Sequence, residues 1–354
     1  MDPRPVTLCI INYNGERRLD RVLAAAARSE LAFEQILVVD DGSTDGSVAL
    51  LRDRHPRVRI VVQEQNQGPG AARNAGWRAA TTDLVLFIDN DVTLDPGCAG
   101  ALRDALARRL DALVAQPRVL YANRPDTIQY DGADCHVLGL MILRHAGWKA
   151  ADAPAETVET RSMVTCAFMV NRASWRGDEP FDTTYIFNLE DHDFGVRSRL
   201  AGHLLLAVPS ATCRHGDGTP GLSYRGEGTQ NLTRVYCLIR NRWRIVAQSY
   251  SLRTILLLAP GLAAYEVVQL AGAIRKGWLG PWTRAAWWMA RNPGTTLRRR
   301  RAVQAARRVS DRELLVAGPL PFTPGLIAGG VERLARRWVE RVAEAAWRRA
   351  SRFL

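Results

Sequence analysis

Along the first two thirds of the chain, short β-branched apolar runs alternate with stretches whose apolar positions recur every three to four residues. VTLCIINY (6–13), QILVVDD (35–41), VRIVVQE (58–64), LVLFIDND (84–91) and ALVAQPRVL (112–120) predict strands; helical spacing predicts helices over 16–28, 44–54, 70–80 and 96–109. Near-continuous apolar strands separated by helices predict an α/β fold with a mostly parallel sheet covered on both faces. Residues 121–160 lose the period and predict a hairpin or loop region. MVTCAFMVN (163–171) and LLLAVPSATCRH (204–215) predict two more strands, with a helix from Glu190 toward Gly202 between them. A helical pattern through Tyr236, Leu238, Ile239, Trp243 and Ile245 leads out of this region near residue 250.

Polar residues recur where the strands end. Those ends read Asn12-Tyr13-Asn14-Gly15, Asp40-Asp41-Gly42-Ser43, Glu64-Gln65-Asn66 and Asp89-Asn90-Asp91. Sites in parallel sheets form at the carboxyl ends of strands, and ionised groups at the edge of an apolar core cost several kcal/mol unless paired or metal-bound. A polar turn closing a strand accounts for Asp89 and Asp91 taken singly. With Asp40 and Asp41 they make four carboxylates at one edge, suited to a metal-diphosphate with its ribose and base. In NQGPGAARNAGW (66–77), Gly68 and Gly70 precede a helix with Arg73 in its first turns, a setting that favours phosphate.

Charge separates the chain into two parts. From Arg275 onward there are 18 Lys+Arg against 5 Asp+Glu, a net charge of +13 in a chain whose total is +12. The expected division is a catalytic region over 1–250 and a basic, Trp-rich helical region over 251–354. Residues 252–274 are apolar for about the 20 residues a bilayer span needs, but Pro260, Gly261 and Glu266 interrupt them and favour a helix lying in the membrane interface. Six of the ten Trp lie after residue 275, and an amphipathic stretch runs from Pro324 to Leu354. Trp beside Arg is the composition of a protein resting on an anionic membrane. A solvated basic bundle is the plainer reading; no nucleic-acid module is apparent, and none is expected as a partner. Six well-separated cysteines read as reduced thiols of a cytosolic protein, and no secretory signal is visible.

The ordered set INYNG, VVDDGSTDGS, NQGPGAARNAG and FIDNDV, continued by IQYDG (128–132), FDTTYIFNLEDHDFGVRSRLAG (181–202) and IRNRWRIV (239–246), resembles the family 2 inverting nucleotide-sugar glycosyltransferases. These have the GT-A fold, a Rossmann-like nucleotide-diphospho-sugar transferase sheet, and include rhamnosyltransferase-like bacterial enzymes. The resemblance implies that Asn14, Asp40, Asp41, Arg73 and Asp89 bind the donor nucleotide. It implies Asp91, with Asp89 and His215, as ligands of Mn2+ or Mg2+. The Glu190-Asp191 pair would supply the catalytic base, Asp191 being favoured. Acids at a helix N-terminus also suit its dipole, and a lone His beside glycines is as often a core-edge residue.

The implied activity is transfer of one sugar from a nucleoside-diphosphate donor to the hydroxyl of a glycan or lipid-linked acceptor in cell-envelope biosynthesis. The enzyme is expected at the cytoplasmic face of the cell membrane, associated peripherally or in plane. Two alternatives stay open, a polyprenyl-phosphate glycosyl synthase and a catalytically dead membrane or nucleic-acid adaptor on this fold; a sugar nucleotidyltransferase shares the fold class, but its Gly-rich nucleotide loop with a basic residue is not seen after the first strand. The Q-x-x-R-W motif of processive synthases is absent, since IRNRW (239–243) lacks its Gln, and this favours single transfer. Asn188-Leu189 replaces the aromatic-Gly pair frequent before Glu-Asp, and His192 and Gly195 are unusual within that helix.

Overall fold

The computed structural model describes residues 4–177, 179–216, 231–321 and 329–354. The strands are β1 (Val6–Asn12), β2 (Gln35–Asp40), β3 (Arg59–Val62), β4 (Leu84–Asp89), β5 (Val92–Leu94), β6 (Ala112–Tyr121), β7 (Arg124–Tyr130), β8 (Ala133–His136), β9 (Met141–Leu143), β10 (Val158–Thr160), β11 (Ala167–Asn171), β12 (Leu204–His215) and β13 (Leu315–Val316). The helices are α1 (Glu16–Ala27), α2 (Ser47–Arg54), α3 (Pro69–Ala79), α4 (Cys98–Arg108), α5 (Glu190–Leu200), α6 (Leu232–Ser249), α7 (Leu252–Arg275), α8 (Leu279–Arg291), α9 (Pro293–Ala306), α10 (Asp311–Leu314) and α11 (Gly330–Ala350). The chain divides into two compact units, one of Met1–Ala133, Leu143–Gly195 and His203–Thr229, the other of Asp134–Ile142, Val196–Gly202 and Gln230–Leu354.

The first unit is built on a sheet ordered β10-β12-β6-β11-β4-β1-β2-β3, with β5 on β12 and β7 on β6. Neighbours β1, β2, β3 and β4 run parallel, as do β6 and β12, while β11 is reversed between β4 and β6. The apolar strands are continuous because both faces are covered. Leu8 and Ile10 of β1 and Leu86 and Ile88 of β4 pack with Leu19 and Val22 of α1 and Leu102 of α4. Their alternates Cys9, Ile11, Val85 and Phe87 pack on the opposite face with Ala72 of α3 and Phe194 of α5.

The region over 121–160 holds more order than a hairpin or loop. It contains β7, paired antiparallel to β6, then β8, β9 and β10. β6 and β7 form a hairpin, whereas β8, β9 and β10 are only three or four residues long and β8 and β10 pair with the distant β13 and β12, so local periodicity does not mark them. All six cysteines are buried and free.

The second unit is mainly helical, α6 to α11, with a small sheet ordered β13-β8-β9. Its core joins Tyr250, Leu258 and Tyr265 to Leu314, Val339 and Ala343. The apolar segment expected from 252 forms the single helix α7, with Pro260 inside it. The amphipathic stretch expected over 324–354 is α11 from Gly330; residues 324–328 lie outside the described residues.

Candidate active site

Register carries the polar strand ends to one edge of the sheet. Asn12 pairs with Asp40 across β1 and β2, and Ile11 pairs with Asp89 across β1 and β4. Asp40 is fully buried and accepts from Asn12 Nδ2 (2.7 Å), Ser43 Oγ (2.7 Å) and Ser43 N–H (2.9 Å). Asn14, in the left-handed region at φ 49°, donates its N–H to Ser43 Oγ (2.8 Å) and accepts from Thr44 N–H (2.8 Å). Asp41 accepts from Gln67 N–H (2.9 Å) and Gly68 N–H (3.0 Å), fastening the strand end to the loop before α3. Burial raises the Asp41 pKa, those two donors oppose the rise, and the Asp40 charge adds to it.

Asn90 is more than a spacer between two acids. Its Nδ2 donates to Asn12 Oδ1 (2.7 Å) and Tyr13 O (3.2 Å), and its Oδ1 accepts from Arg18 Nη1 (3.2 Å). These bonds hold the end of β4 against the loop after β1. They leave the flanking Asp89 and Asp91 to converge with His215, at the end of β12; one ligand atom from each of the three lies within 4.8 Å of the others. His215 donates Nδ1–H to Gln129 Oε1 (2.9 Å), and its Nε2 lies 3.2 Å from Asp91 Oδ1. Burial disfavours the imidazolium, but Cys166 and the Asp91 carboxylate outweigh it and raise the His215 pKa to about 10, so a cation held by Nε2 would displace a proton.

Two carboxylates at the end of β4 and an imidazole at the end of β12 bring hard oxygen donors and one nitrogen donor together from two chain segments. They suit Mn2+ or Mg2+ held by few protein ligands, with positions left for phosphate oxygens and water. Gln129 completes this corner; the IQYDG stretch that holds it carries part of the resemblance, but nothing in that stretch assigns the residue a role. By accepting from Nδ1–H it directs Nε2 toward the carboxylates.

Arg73 joins this corner to the start of α5. The side chain is almost fully buried, with Nη2 2.7 Å from Asp89 Oδ1 and 3.1 Å from Thr165 O, and Nη1 3.5 Å from Glu190 Oε1. It therefore compensates carboxylates within the protein, a geometry distinct from the phosphate contact the sequence suggests for a residue near a helix start. Glu190 is buried and its Oε2 has no hydrogen-bond partner among the described residues. Asp191 keeps partial exposure and accepts from His192 N–H (2.7 Å). Burial, then the adjacent Asp191 charge, pushes Glu190 up to about 8, while burial lifts Asp191 to about 6, offset by the His192 N–H and Arg73. Near neutral pH the partly exposed member of the pair is thus the ionised one.

The departures around α5 have local causes. Asn188 and Leu189 adopt φ of 60° and 63°, the left-handed region a glycine enters without strain. Gly195 is required by close packing: a Cβ there would lie 2.8 Å from Met163 N. On the same helix His192 is fully buried, with Nδ1 2.6 Å from Ser162 Oγ, and burial lowers its pKa to about 3. It is a neutral core histidine.

Residues 7–175 match the family described as Glycosyl transferase family 2. Succinoglycan biosynthesis protein ExoO of Rhizobium meliloti (strain 1021) is 32% identical over 128 residues, 36% of this chain and 35% of that protein. The chain thus matches about a third of that relative's length. N-acetylglucosaminyl-diphospho-decaprenol L-rhamnosyltransferase of Mycobacterium tuberculosis (strain ATCC 25618 / H37Rv) is 29% identical over 228 residues, 58% of this chain and 74% of that protein. Among solved structures, GalNAc-T7 with UDP, GalNAc and Mn2+ is similar with a TM-score of 0.58 at 15% identity, over 76% of this chain and 51% of that one, a likeness of fold.

Proposed function

We propose that the chain is a family 2 glycosyltransferase that carries out a metal-dependent, inverting transfer of one sugar to an acceptor hydroxyl; the family match over residues 7–175 and the likeness of fold to GalNAc-T7 support it. The observation that carries the proposal is the convergence of Asp89, Asp91 and His215 at one sheet edge, with Arg73 linking Asp89 to the Glu190-Asp191 pair. The donor is a nucleoside-diphosphate sugar. Asp91, Asp89 and His215 would hold Mn2+ or Mg2+, and Asn14, Asp40, Asp41, Arg73 and Asp89 would shape the nucleotide side of the pocket. GalNAc-T7, of the same fold, is described with UDP and Mn2+, which supports both. Relatives named for succinoglycan biosynthesis and for a decaprenol-linked substrate support an acceptor in cell-envelope or lipid-linked glycan synthesis, at the cytoplasmic face of a membrane.

Asp191 is the general base in this reading. Its carboxylate takes the acceptor hydroxyl proton as the oxygen bonds to the anomeric carbon, and the bond from that carbon to the diphosphate breaks on the opposite face. When bound, the divalent cation neutralises charge growing on the departing diphosphate. Arg73 holds Asp89 and Glu190 in place. No covalent intermediate on the enzyme is required.

Titrating the protein with UDP-, GDP- and dTDP-sugars in the presence of Mn2+ tests the donor assignment; binding of none contradicts it. Two further outcomes are expected. Transfer should rise as pH rises through about 6, because Asp191 must be ionised to accept a proton; a rate indifferent to pH across that value contradicts the base. Replacing Gln129 by Leu should weaken Mn2+ binding about 10-fold, read by calorimetry, since His215 loses its orienting partner. Unchanged Mn2+ affinity would remove Gln129 from the account.

A further inference from the structure

We propose that α7 docks in plane on an anionic lipid bilayer through one apolar stripe, formed by Leu252, Leu256, Ala263, Val267, Ala271 and Ile274. The inference deepens the membrane part of the proposed function and names the surface responsible. Spaced by four, seven, four, four and three residues, these positions share one face of the helix. Leu252 is 67% exposed, Leu256 74%, Val267 64% and Ile274 59%. At about 1.5 Å per residue the stripe runs for about 33 Å. An apolar patch of this extent marks an interaction surface.

The rest of the helix is committed to its own unit. Thr254 Oγ1 donates to Asp311 Oδ2 (2.5 Å), and a Cβ on Gly261 would lie 3.1 Å from Ala343 Cα of α11. Glu266, the one acid in α7, pairs with Arg242 and accepts from Trp243 Nε1–H (2.9 Å). By length and composition α7 is able to cross a membrane. Crossing would strip away α11 and place the Glu266 network in hydrocarbon, where unpaired polar groups cost several kcal/mol each. A helix with one apolar exposed face and one protein-bound face fits the plane of the interface instead.

Charge selects the occupant. Arg253 and Arg275 flank the stripe and are exposed, Lys276 and Trp278 follow at once, and the region from Arg275 carries the net +13. That complements anionic headgroups. A second copy seated on the same stripe would bring like charges together.

Sedimentation with phosphatidylcholine vesicles, with and without phosphatidylglycerol, tests the proposal. The full chain should bind the anionic vesicles preferentially and be released by alkaline carbonate. Leu256→Glu combined with Val267→Glu should reduce vesicle binding at least about 10-fold, with donor affinity unchanged. Should the Glu pair disturb folding by circular dichroism, Leu256→Ser with Val267→Ser carries the same test. Retention after carbonate, variant binding equal to the parent, or a solution dimer that the variant splits without any vesicle binding would each overturn the proposal. Failure to bind any sugar nucleotide would instead count against the glycosyltransferase reading, because the stripe needs no donor.

Discussion

Replacing Asp191 by Asn is expected to lower kcat for sugar transfer by about 10²–10⁴-fold, the range a positioned general base contributes, with donor and Mn2+ affinities little changed. The substitution keeps the size and the hydrogen-bonding oxygen of the side chain but removes its capacity to take a proton. Asp191 is the better candidate of the pair because it retains exposure and ionises near pH 6, whereas Glu190 is buried, lies within reach of Arg73 and is pushed up to about 8. Glu190→Gln should therefore cost less in kcat than Asp191→Asn. Near-normal turnover in the Asp191 variant would point to an acceptor oxygen that needs no base, as in a polyprenyl phosphate. A quenched-flow or steady-state comparison of the two variants separates these outcomes.

The second large effect falls on stability. Arg73→Met should destabilise the fold by about 3–5 kcal/mol, the cost of removing one partner from a buried ionic cluster. Arg73 is 3% exposed at its side chain, and it contacts Asp89, Glu190 and the Thr165 carbonyl at once. Without it, Asp89 and the buried Glu190 lose their shared guanidinium donor, and the ionised forms of both become less favourable. The deficit should shrink as pH falls, because protonated carboxyls no longer need the guanidinium. Denaturant unfolding at two pH values reads both the size and the sign. A loss within about 0.5 kcal/mol, typical of a surface change, would mean that Arg73 is not the centre of this cluster.

Much of the sheet was legible in the sequence because it depends on local pattern. The apolar runs of β1, β2, β4 and β12 lie close to their expected bounds, and β12 matches 204–215. Their polar ends signalled an edge site through the unusual juxtaposition of core residues and acids. What escaped detection depends on distant partners. Nothing near Gln129 announces His215, 86 residues away, and nothing near Arg73 announces Glu190, 117 residues away. The internal work of Asp40, Asp41 and Asn90 was equally hidden, since a carboxylate bracing a turn and one awaiting a ligand look alike in sequence. Asn188-Leu189 did carry a readable signal. Its departure from a glycine-containing pattern coincides with backbone that glycine would occupy more easily.

The central claim is that the Asp89, Asp91 and His215 corner makes donor chemistry metal-dependent. Its most direct measurement is release of nucleoside diphosphate from a sugar-nucleotide panel by the full chain, before and after chelation, with Mn2+ then restored. Turnover should be abolished by chelation and restored by Mn2+, and Asp91→Ala should lack it under both conditions. Turnover that survives chelation, or that Asp91→Ala retains at the parent rate, would contradict that claim.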